Sequence, residues 1–369
     1  MARAAARIDN HNLRKRAPQI GVCLLGLTFM FAALLFKPAS VDDFLPFYRA
    51  THLIGDSDLF AQGRFGHAGL MFLRTPFYAW LLRPLGALDY GVARAIWMIL
   101  MAGALALSVV LWPGPRKRIA IASCWAAPVL FAFAQGQDVA LMMLALALTA
   151  NLWTGGREFA AGLAASLLAL KFTFLFPVAL VFLARSRRGF YGLIVGTALQ
   201  FGISFALQGP AWIPEYLNAL RSPTLDRVPM RMPSLRALMP PIPFGVAAIL
   251  VYAVIWRIAR RGDLTQVFTI ALPLGMIASP HCYAYDVVVA VPLFATVCSQ
   301  STLPGILATV ALSPIPYMLM SLDNPIALGP VLIVAAVLAG TFTLVPLALS
   351  YQGAGSIRKR APASSSVGK

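Results

Sequence analysis

Residues 18–60 read PQIGVCLLGLTFMFAALLFKPASVDDFLPFYRATHLIGDSDLF, and they join a long apolar run to an acidic stretch. The apolar part, residues 18–36, approaches the roughly 20 residues that a helix needs to cross a bilayer. The stretch after it holds four of the thirteen acidic residues of the chain, namely Asp42, Asp43, Asp56 and Asp58. The segment therefore predicts a membrane crossing that ends among carboxylates.

The whole chain is as apolar as this segment suggests. It has 369 residues, of which 59% are hydrophobic and only 12% charged, and its mean hydropathy is +0.77. A soluble domain carries about 25% charged residues. We therefore expect an all-α polytopic membrane protein with about 12 transmembrane helices. The candidate spans are 18–36, 90–112, 118–134, 138–153, 159–170, 173–184, 190–208, 241–258, 264–279, 284–299, 302–320 and 326–350.

A cationic stretch, RKRAPQ at residues 14–19, precedes the first apolar run, as it does in a secretory signal. The apolar run is longer than the hydrophobic region of a signal peptide, and no small-residue cleavage site follows it. We therefore expect an uncleaved signal anchor. The net charge of +17 is explained by cationic cytoplasmic loops, and we expect no nucleic-acid partner. The four cysteines have no metal-ligand spacing.

The basic residues set the expected orientation. If the chain starts in the cytoplasm and each run crosses once, every Arg-rich break falls inside, as the positive-inside rule requires. If residues 70–88 also crossed the membrane, several of these Arg-rich breaks would move to the extracytoplasmic side. We therefore expect a re-entrant or interfacial helix there, with snorkelling arginines. The runs 159–170 and 173–184 are too short to span alone. They predict two half-depth helices with Lys171 at their outer apex.

This path divides the chain into parts with different expected surroundings. They are a cytoplasmic tail at 1–17, a seven-helix unit at 18–208 that includes a first outer loop at 37–89, a second outer loop at 209–240, C-terminal helices at 241–350, and a disordered cytoplasmic tail at 351–369. Most acidic residues then come out on the extracytoplasmic side: Asp42, Asp43, Asp56, Asp58, Asp138, Glu215, Asp226, Asp286 and Asp323. Because acids contribute little to orientation, their concentration on that side indicates a functional use.

Asp42 and Asp43 are the first candidates for catalysis, since they lie just beyond the first crossing. A carboxylate beside apolar helices has its charged form disfavoured, which raises its pKa toward that of a general base. The alternative is that both face water or pair with Lys37 and Arg49.

Lys171 lies in SLLALKFTFLFPVAL, residues 166–180, with apolar neighbours on both sides. An intramembrane cation is usually functional and paired with an anion, and a substrate phosphate suits an ammonium. A snorkelling lysine at a helix end is the alternative. The FAQGQDV stretch at 133–139 offers the amide of Gln137 to a hydroxyl-rich ligand, while Asp138 alternatively caps the following helix.

Further candidates for substrate binding lie in the other polar stretches. SPHCYAYD at 279–286 supplies His281 and Tyr285, although an interfacial aromatic belt also explains its tyrosines. Arginines in the outer loops suit anionic headgroups or a lipid-linked phosphate, and a solvated loop is the alternative. The candidates in the outer loops are Arg49, Arg74, Glu215 and Arg231.

Several classes of chemistry have no support in the sequence. It contains neither a phosphate-binding loop nor a dinucleotide glycine pattern, and no Cys/His cluster suits a metal. The histidines at 11, 52, 67 and 281 are too scattered to argue a Ser-His-Asp triad. We therefore expect no cofactor and no metal site, and an activated donor other than a nucleotide, reached from the membrane.

The order of the motifs resembles glycosyltransferase family 87, of the GT-C superfamily of polyprenyl-phosphate-sugar-dependent transferases. The resemblance spans roughly residues 20 to 300. It rests on DDFLPFYRATHLIGDSDLF (42–60), FLRTPFYAWLLRPLGAL (72–88), AQGQDVALMMLAL (134–146), AAGLAASLLALKFTFLFPVALVFLARSRR (160–188), MPSLRAL (232–238) and SPHCYAYD.

This resemblance implies a seven-helix module and a catalytic acid near the start of the first outer loop. The matching residue is Asp43, with Asp42 as the second choice, while Lys171 and Gln137 match further family positions. Family members often carry two prolines where this chain has Thr75-Pro76, and Trp and His where it has residues 282–286.

The expected function is inverting transfer of a mannose-like hexose from a polyprenyl-phosphate donor to an extracytoplasmic glycan or glycolipid, in a bacterial inner membrane. The alternatives are a non-enzymatic lipid or solute transporter and a catalytically idle relative that assists assembly. A transporter usually has inverted repeats, and the sequence has no convincing internal repeat.

Overall fold

The computed structural model describes residues 42–61, 71–221, 231–300, 302–322 and 326–358, with residues 347–358 described by their backbone alone. All regular structure within these ranges is helical, which confirms the all-α prediction. The predicted tail at 1–17 and the first predicted span at 18–36 lie outside the described residues, as do parts of both outer loops.

The α-helices are numbered here in chain order. They are α1 Phe44–Ala50, α2 Pro76–Leu81, α3 Arg83–Gly86, α4 Tyr90–Leu111, α5 Arg116–Trp125, α6 Ala127–Ala134, α7 Val139–Thr154, α8 Glu158–Ser166, α9 Phe172–Arg185, α10 Arg187–Gln208, α11 Trp212–Leu220, α12 Pro241–Arg261, α13 Leu264–Ile277, α14 Val291–Val297, α15 Leu303–Leu312, α16 Ile315–Ser321 and α17 Leu328–Arg358. Short 3-10 helices cover Ser57–Phe60, Leu167–Leu170, Leu235–Ala237 and Ala284–Ala290.

Four helices are long and apolar enough to cross a membrane: α4, α10, α12 and the Leu328–Pro346 part of α17. Two bent pairs, α5 with α6 at 58° and α15 with α16 at 53°, raise the number to six if each pair is one span. The described helices therefore do not confirm about 12 crossings. Several predicted spans are instead shorter apolar helices: Val139–Thr154, Glu158–Leu170, Phe172–Arg185, Leu264–Ile277 and Ala284–Val297.

The short helices form the inner part of the bundle, and the long ones form its outer wall. Every residue of α13 from Val267 to Ile277 is buried, and this helix packs against α9 and α12. The long helices instead expose large apolar side chains, such as Ile99 at 71%, Ile249 at 70% and Phe342 at 76% exposure. Such a surface is stable only in contact with lipid, since soluble monomers rarely expose large apolar patches.

The described part of the predicted 70–88 segment, residues 71–88, does not form one long helix. Pro76 starts α2 at a position where its missing N–H is harmless, and α3 follows directly. Neither helix is a candidate span, in agreement with the expected interfacial segment. Trp80 and Arg83 are exposed, as expected, but the snorkelling prediction is wrong for Arg74, whose side chain is buried in the protein.

The predicted break at Lys171 is confirmed. A 3-10 turn, Leu167–Leu170, ends the helix that began at α8, and Lys171 has the extended conformation φ −143°, ψ 97° before α9 begins. With 14 residues, α9 is about 21 Å long, which is too short for a hydrocarbon layer of about 30 Å. At the C-terminus, α17 continues to Arg358, so the first residues of the predicted disordered tail at 351–369 are helical.

Helices α8 and α10 cross at close range because glycines face each other. A Cβ on Gly192 would overlap the backbone carbonyl of Phe159, and a Cβ on Gly162 would overlap that of Gly189. Small residues at a crossing let helix backbones approach, which is how membrane helices gain packing energy.

We expect Gly192→Ala to destabilise the protein by about 1–3 kcal/mol, because the added methyl group forces the two backbones apart. Gly202→Ala in the same helix is the matched control, since its Cβ would meet nothing within 4 Å. Thermal unfolding of both variants in detergent checks this. Equal melting temperatures for the two variants would contradict the close crossing.

Candidate active site

Asp43 lies at the N-terminal boundary of α1, outside the four candidate spans and the two bent pairs. Its backbone N–H donates to the Gln135 carbonyl over 2.8 Å, and its carboxylate accepts a hydrogen bond from the Gln137 side-chain amide. The 133–139 loop therefore holds both the backbone and the carboxylate of Asp43.

Gly136 makes this approach of the two segments feasible. It has a φ of +69°, a left-handed conformation that glycine adopts without strain. A Cβ there would also lie 2.9 Å from the Cβ of Phe44 and 3.2 Å from an oxygen of Asp42. The Trp97 indole N–H donates to the Gly136 carbonyl over 2.8 Å and fixes the turn from the side of α4.

Asp42 has a different environment from its neighbour. Its carboxylate accepts hydrogen bonds from the Tyr90 hydroxyl, from Arg94 Nε over 2.7 Å and from the Phe44 N–H over 3.1 Å. The ion pair is partly open to solvent, with the Asp42 side chain 26% exposed. These contacts tie α1 to α4, whereas the contacts of Asp43 tie α1 to the 133–139 loop.

Lys171 is buried and forms an ion pair with Asp286. The Asp286 carboxylate also accepts the Tyr283 N–H over 2.9 Å, which holds it at the start of the 3-10 helix. The Lys171 ammonium lies 4.8 Å from the centre of the Tyr285 ring and 5.8 Å from that of Phe174. A protein carboxylate is thus one partner of the cation for which the sequence predicted a substrate phosphate.

Arg74 forms a second buried ion pair. Its guanidinium donates to both oxygens of Asp138, over 2.8 and 2.9 Å, and to the Leu73 carbonyl over 2.9 Å. Asp138 does occupy the N-cap position of α7, but its side chain makes no capping hydrogen bond. Its contacts with Arg74 tie the end of the 133–139 loop to the segment before α2.

These two ion pairs and Asp43 form one electrostatic cluster. Burial raises the pKa of Asp43 from its usual 3.8 to about 6, and the negative charge of Asp42 acts in the same direction. The hydrogen bond from Gln137 and the positive charges of Lys171 and Arg74 lower the pKa of Asp43, but they do not cancel the effect of burial. The result is a carboxylate that can accept a proton near neutral pH.

A family model settles what class of protein carries this cluster. The model of glycosyltransferase family 87 matches residues 72–280, which is more than half of the chain. The chain belongs to glycosyltransferase family 87. It is therefore a membrane glycosyltransferase, as its motif order indicated. No curated protein and no solved structure matches it.

The matched range of this family 87 protein contains much of the cluster. Arg74, Gln137, Asp138 and Lys171 lie within residues 72–280, while Asp43 precedes that range and Asp286 follows it. The Lys171–Asp286 ion pair therefore connects the matched segment to a residue beyond its end, while both partners of the Arg74–Asp138 pair lie inside it.

The remaining predicted site residues of the family 87 protein have varied positions. The His281 backbone carbonyl accepts hydrogen bonds from the hydroxyls of Thr173 and Ser279. Of these two donors, Thr173 is close to Lys171 in the chain. Arg49 is half-buried in the last turn of α1, and Arg231 is exposed.

Glu215 lines a cavity of about 300 Å³ that opens between α11 and the Ser57–Phe60 turn, together with Ser57 and Asn218. The next residue, Tyr216, packs its ring 6.1 Å from that of Phe172, which follows Lys171. The cavity is therefore a neighbour of the cluster and not a part of it. Within the described part of the chain, no group of three His, Cys, Asp or Glu side chains is arranged to hold a metal ion.

Two members of the cluster were not chosen from the sequence as site residues, Asp138 and Asp286. A buried cation in a membrane protein requires an anion, and both acids lie in polar stretches at predicted outer junctions. That rule calls for partners for Lys171 and Arg74. It does not specify which acid pairs with which cation.

Proposed function

We propose that this glycosyltransferase transfers a hexose, of the mannose type, from a polyprenyl-phosphate donor to a hydroxyl of an extracytoplasmic glycan or glycolipid, with inversion. The observation that carries the proposal is the position of Asp43: a carboxylate with a raised pKa, held by Gln137 beside two buried cations at the edge of the spans.

In the proposed reaction Asp43 is the general base. The acceptor oxygen attacks the anomeric carbon while its proton passes to the Asp43 carboxylate. The bond between that carbon and the phosphate oxygen breaks, and polyprenyl phosphate leaves with the bonding electrons. One displacement inverts the anomeric configuration and needs no second nucleophile. The phosphate supplies the activation, so the reaction requires no redox cofactor.

Lys171 and Arg74 support the departing phosphate in this proposal. An ammonium has three donors, so Lys171 retains donors beyond its bond to Asp286 and can turn one toward a phosphate oxygen. Preorganised cations of this kind stabilise charge that develops in the transition state. Tyr285 and Gln137 contact sugar hydroxyls in this proposal, because their hydroxyl and amide groups suit a hydroxyl-rich ligand.

We propose that the site faces the extracytoplasmic side of a bacterial inner membrane, and the charges of the chain support this orientation. Three acids expected outside, Asp43, Asp138 and Asp286, come together around Lys171, and Asp42 is the neighbour of Asp43. The other end of α9 carries Arg185, and α12 ends in Arg260 and Arg261. Positive residues at that end agree with a cytoplasmic position.

The test is a reconstituted transfer assay with purified polyprenyl-phosphate mannose and glucose. We expect a glycosylated acceptor and released polyprenyl phosphate, with the opposite anomeric configuration to that of the donor. Retained configuration would overturn the mechanism. Movement of the donor lipid across the vesicle membrane without any glycosylated product would favour a transporter. The absence of activity with either donor would favour an idle relative or a different sugar.

The pH dependence of transfer gives a further prediction. Since Asp43 must be deprotonated to act as base, we expect kcat/KM to fall as the pH drops below about 6, the pKa of Asp43. The Gln137 hydrogen bond lowers this pKa, so Gln137→Leu should raise it and move the acidic limb to higher pH. Profiles of kcat/KM against pH for the unmodified protein and for Gln137→Leu measure the acidic limb of each.

Gln208→Leu is the control for this measurement, because Gln208 bonds to Gly55 and Asp56 and not to Asp43. Its acidic limb should match that of the unmodified protein. A limb that stays in place in Gln137→Leu would mean that another group titrates.

A further inference from the structure

A groove of about 310 Å³ lies on the side of the bundle formed by α12, α13 and α17. Its walls are almost entirely apolar, and two arginines and one threonine are the exceptions. The lining includes Leu250, Val254, Arg257, Arg261, Leu338 and Phe342. This volume is at the lower end of the range of ligand pockets, about 300–1,000 Å³.

Arg257 and Arg261 are one helical turn apart on α12, so they extend from the same face and end at the groove together. Both are exposed. No ion pair is recorded for either one among the side chains that the structure describes. The acid nearest in sequence, Asp263, caps α13 by accepting the Thr265 N–H over 3.2 Å.

The arginine end of the groove lies far from the Asp43 cluster. Helix α9 starts beside Lys171 and ends at Arg185, whose guanidinium donates to the carbonyls of Ala259 and Gly262. The length of α9, about 21 Å, therefore separates the two places.

We expect lipid to cover this part of the protein. Helix α12 and the Leu328–Pro346 part of α17 are both candidate spans, and groove residues on them are strongly exposed, with Leu250 at 62% and Phe342 at 76%. An occupant must therefore match an apolar channel that ends at two positive charges. An acyl chain attached to an anionic headgroup has that form, and each basic residue near an anionic membrane surface adds to such binding.

We propose that this groove binds one anionic phospholipid, with its phosphate between Arg257 and Arg261 and an acyl chain along Leu250, Val254 and Phe342. The two guanidiniums bind phosphate oxygens. They repel the ammonium of a zwitterionic headgroup, so the site discriminates by net charge. The binding site is separate from the transfer site and does not depend on which sugar is transferred.

The test uses the full-length protein, delipidated in detergent and titrated with phosphatidylglycerol or phosphatidylcholine of identical chains, with bound lipid counted by native mass spectrometry. We expect phosphatidylglycerol to bind at least about tenfold more tightly. The double variant Arg257→Gln/Arg261→Gln should lose that preference. The control Arg260→Gln/Arg188→Gln has the same net charge and should keep it, because Arg260 stacks on Trp256 and neither residue lines the groove.

A second pair of variants tests the apolar part with all arginines in place. Val254→Trp fills the groove and should weaken the binding of phosphatidylglycerol, whereas Val246→Trp, exposed on the same helix but outside the lining, should not. Equal binding of both lipids to the unmodified protein would overturn the proposal. An equal loss in the two double variants, or in the two tryptophan variants, would overturn it as well.

Discussion

Asp43→Asn is expected to lower the rate of sugar transfer by a factor on the order of 10² to 10⁴, the usual contribution of a general base. The asparagine has the same shape, and the Gln137 amide can rotate to pair with it, so the protein should still fold. Asp42→Asn should retain most activity, since the Asp42 carboxylate binds Tyr90, Arg94 and the Phe44 N–H. Initial rates with a polyprenyl-phosphate sugar measure both variants.

Two outcomes would contradict this assignment. Activity near that of the unmodified protein in Asp43→Asn, with loss in Asp42→Asn, would transfer the base role to Asp42. Loss in both variants with lowered melting temperatures would mean that the pair is only structural. Thermal unfolding of each variant therefore accompanies the assay.

Lys171→Met is expected to lower the free energy of unfolding by about 3–5 kcal/mol, because it leaves the fully buried Asp286 carboxylate without its ammonium partner. Asp286→Asn should be similarly destabilising, because it leaves Lys171 charged and unpaired. The double variant Lys171→Met/Asp286→Asn removes both charges and should recover much of the stability. Thermal unfolding in detergent measures the three variants.

The exposed Lys117 supplies the matched control, since Lys117→Met removes the same charge without leaving a buried acid. Its melting temperature should be close to that of the unmodified protein. If Lys171→Met were equally stable, the ion pair would not be part of the folded core. Slow transfer by a fully stable double variant would separate the role of Lys171 in the reaction from its role in folding.

Hydropathy and charge predicted most helices, and the short length of the apolar runs 159–170 and 173–184 predicted the break at Lys171. They did not predict which apolar runs cross the membrane, because a run buried in protein and a run in lipid have the same composition. The positions of the two bent helix pairs can be predicted in part from the prolines of the sequence. Pro128 lies near the start of α6, and Pro314 and Pro316 lie at the α15–α16 break, and proline disfavours a continuous helix.

The sequence predicted five of the residues that the structure brings together, but it did not predict their contacts. Asp43, Gln137, Arg74, Lys171 and Tyr285 come from polar positions in apolar surroundings and from the family pattern, and the structure brings them together. The ion pairs join residues 64 and 115 positions apart, and one sequence does not specify such partners. For Asp138, the sequence offered a helix cap as one alternative and gave no sign of its pairing with Arg74.

The tight turn at Gly136 has a consequence for how this enzyme can diverge. Because the turn touches the backbone around Asp42 and Phe44, the two segments form a single interlocked unit although they are distant in the chain. A chimera that imports residues 42–50 from a relative must import 133–139 as well. We therefore expect the positions that surround this unit to tolerate substitution more readily than the two interlocked segments themselves.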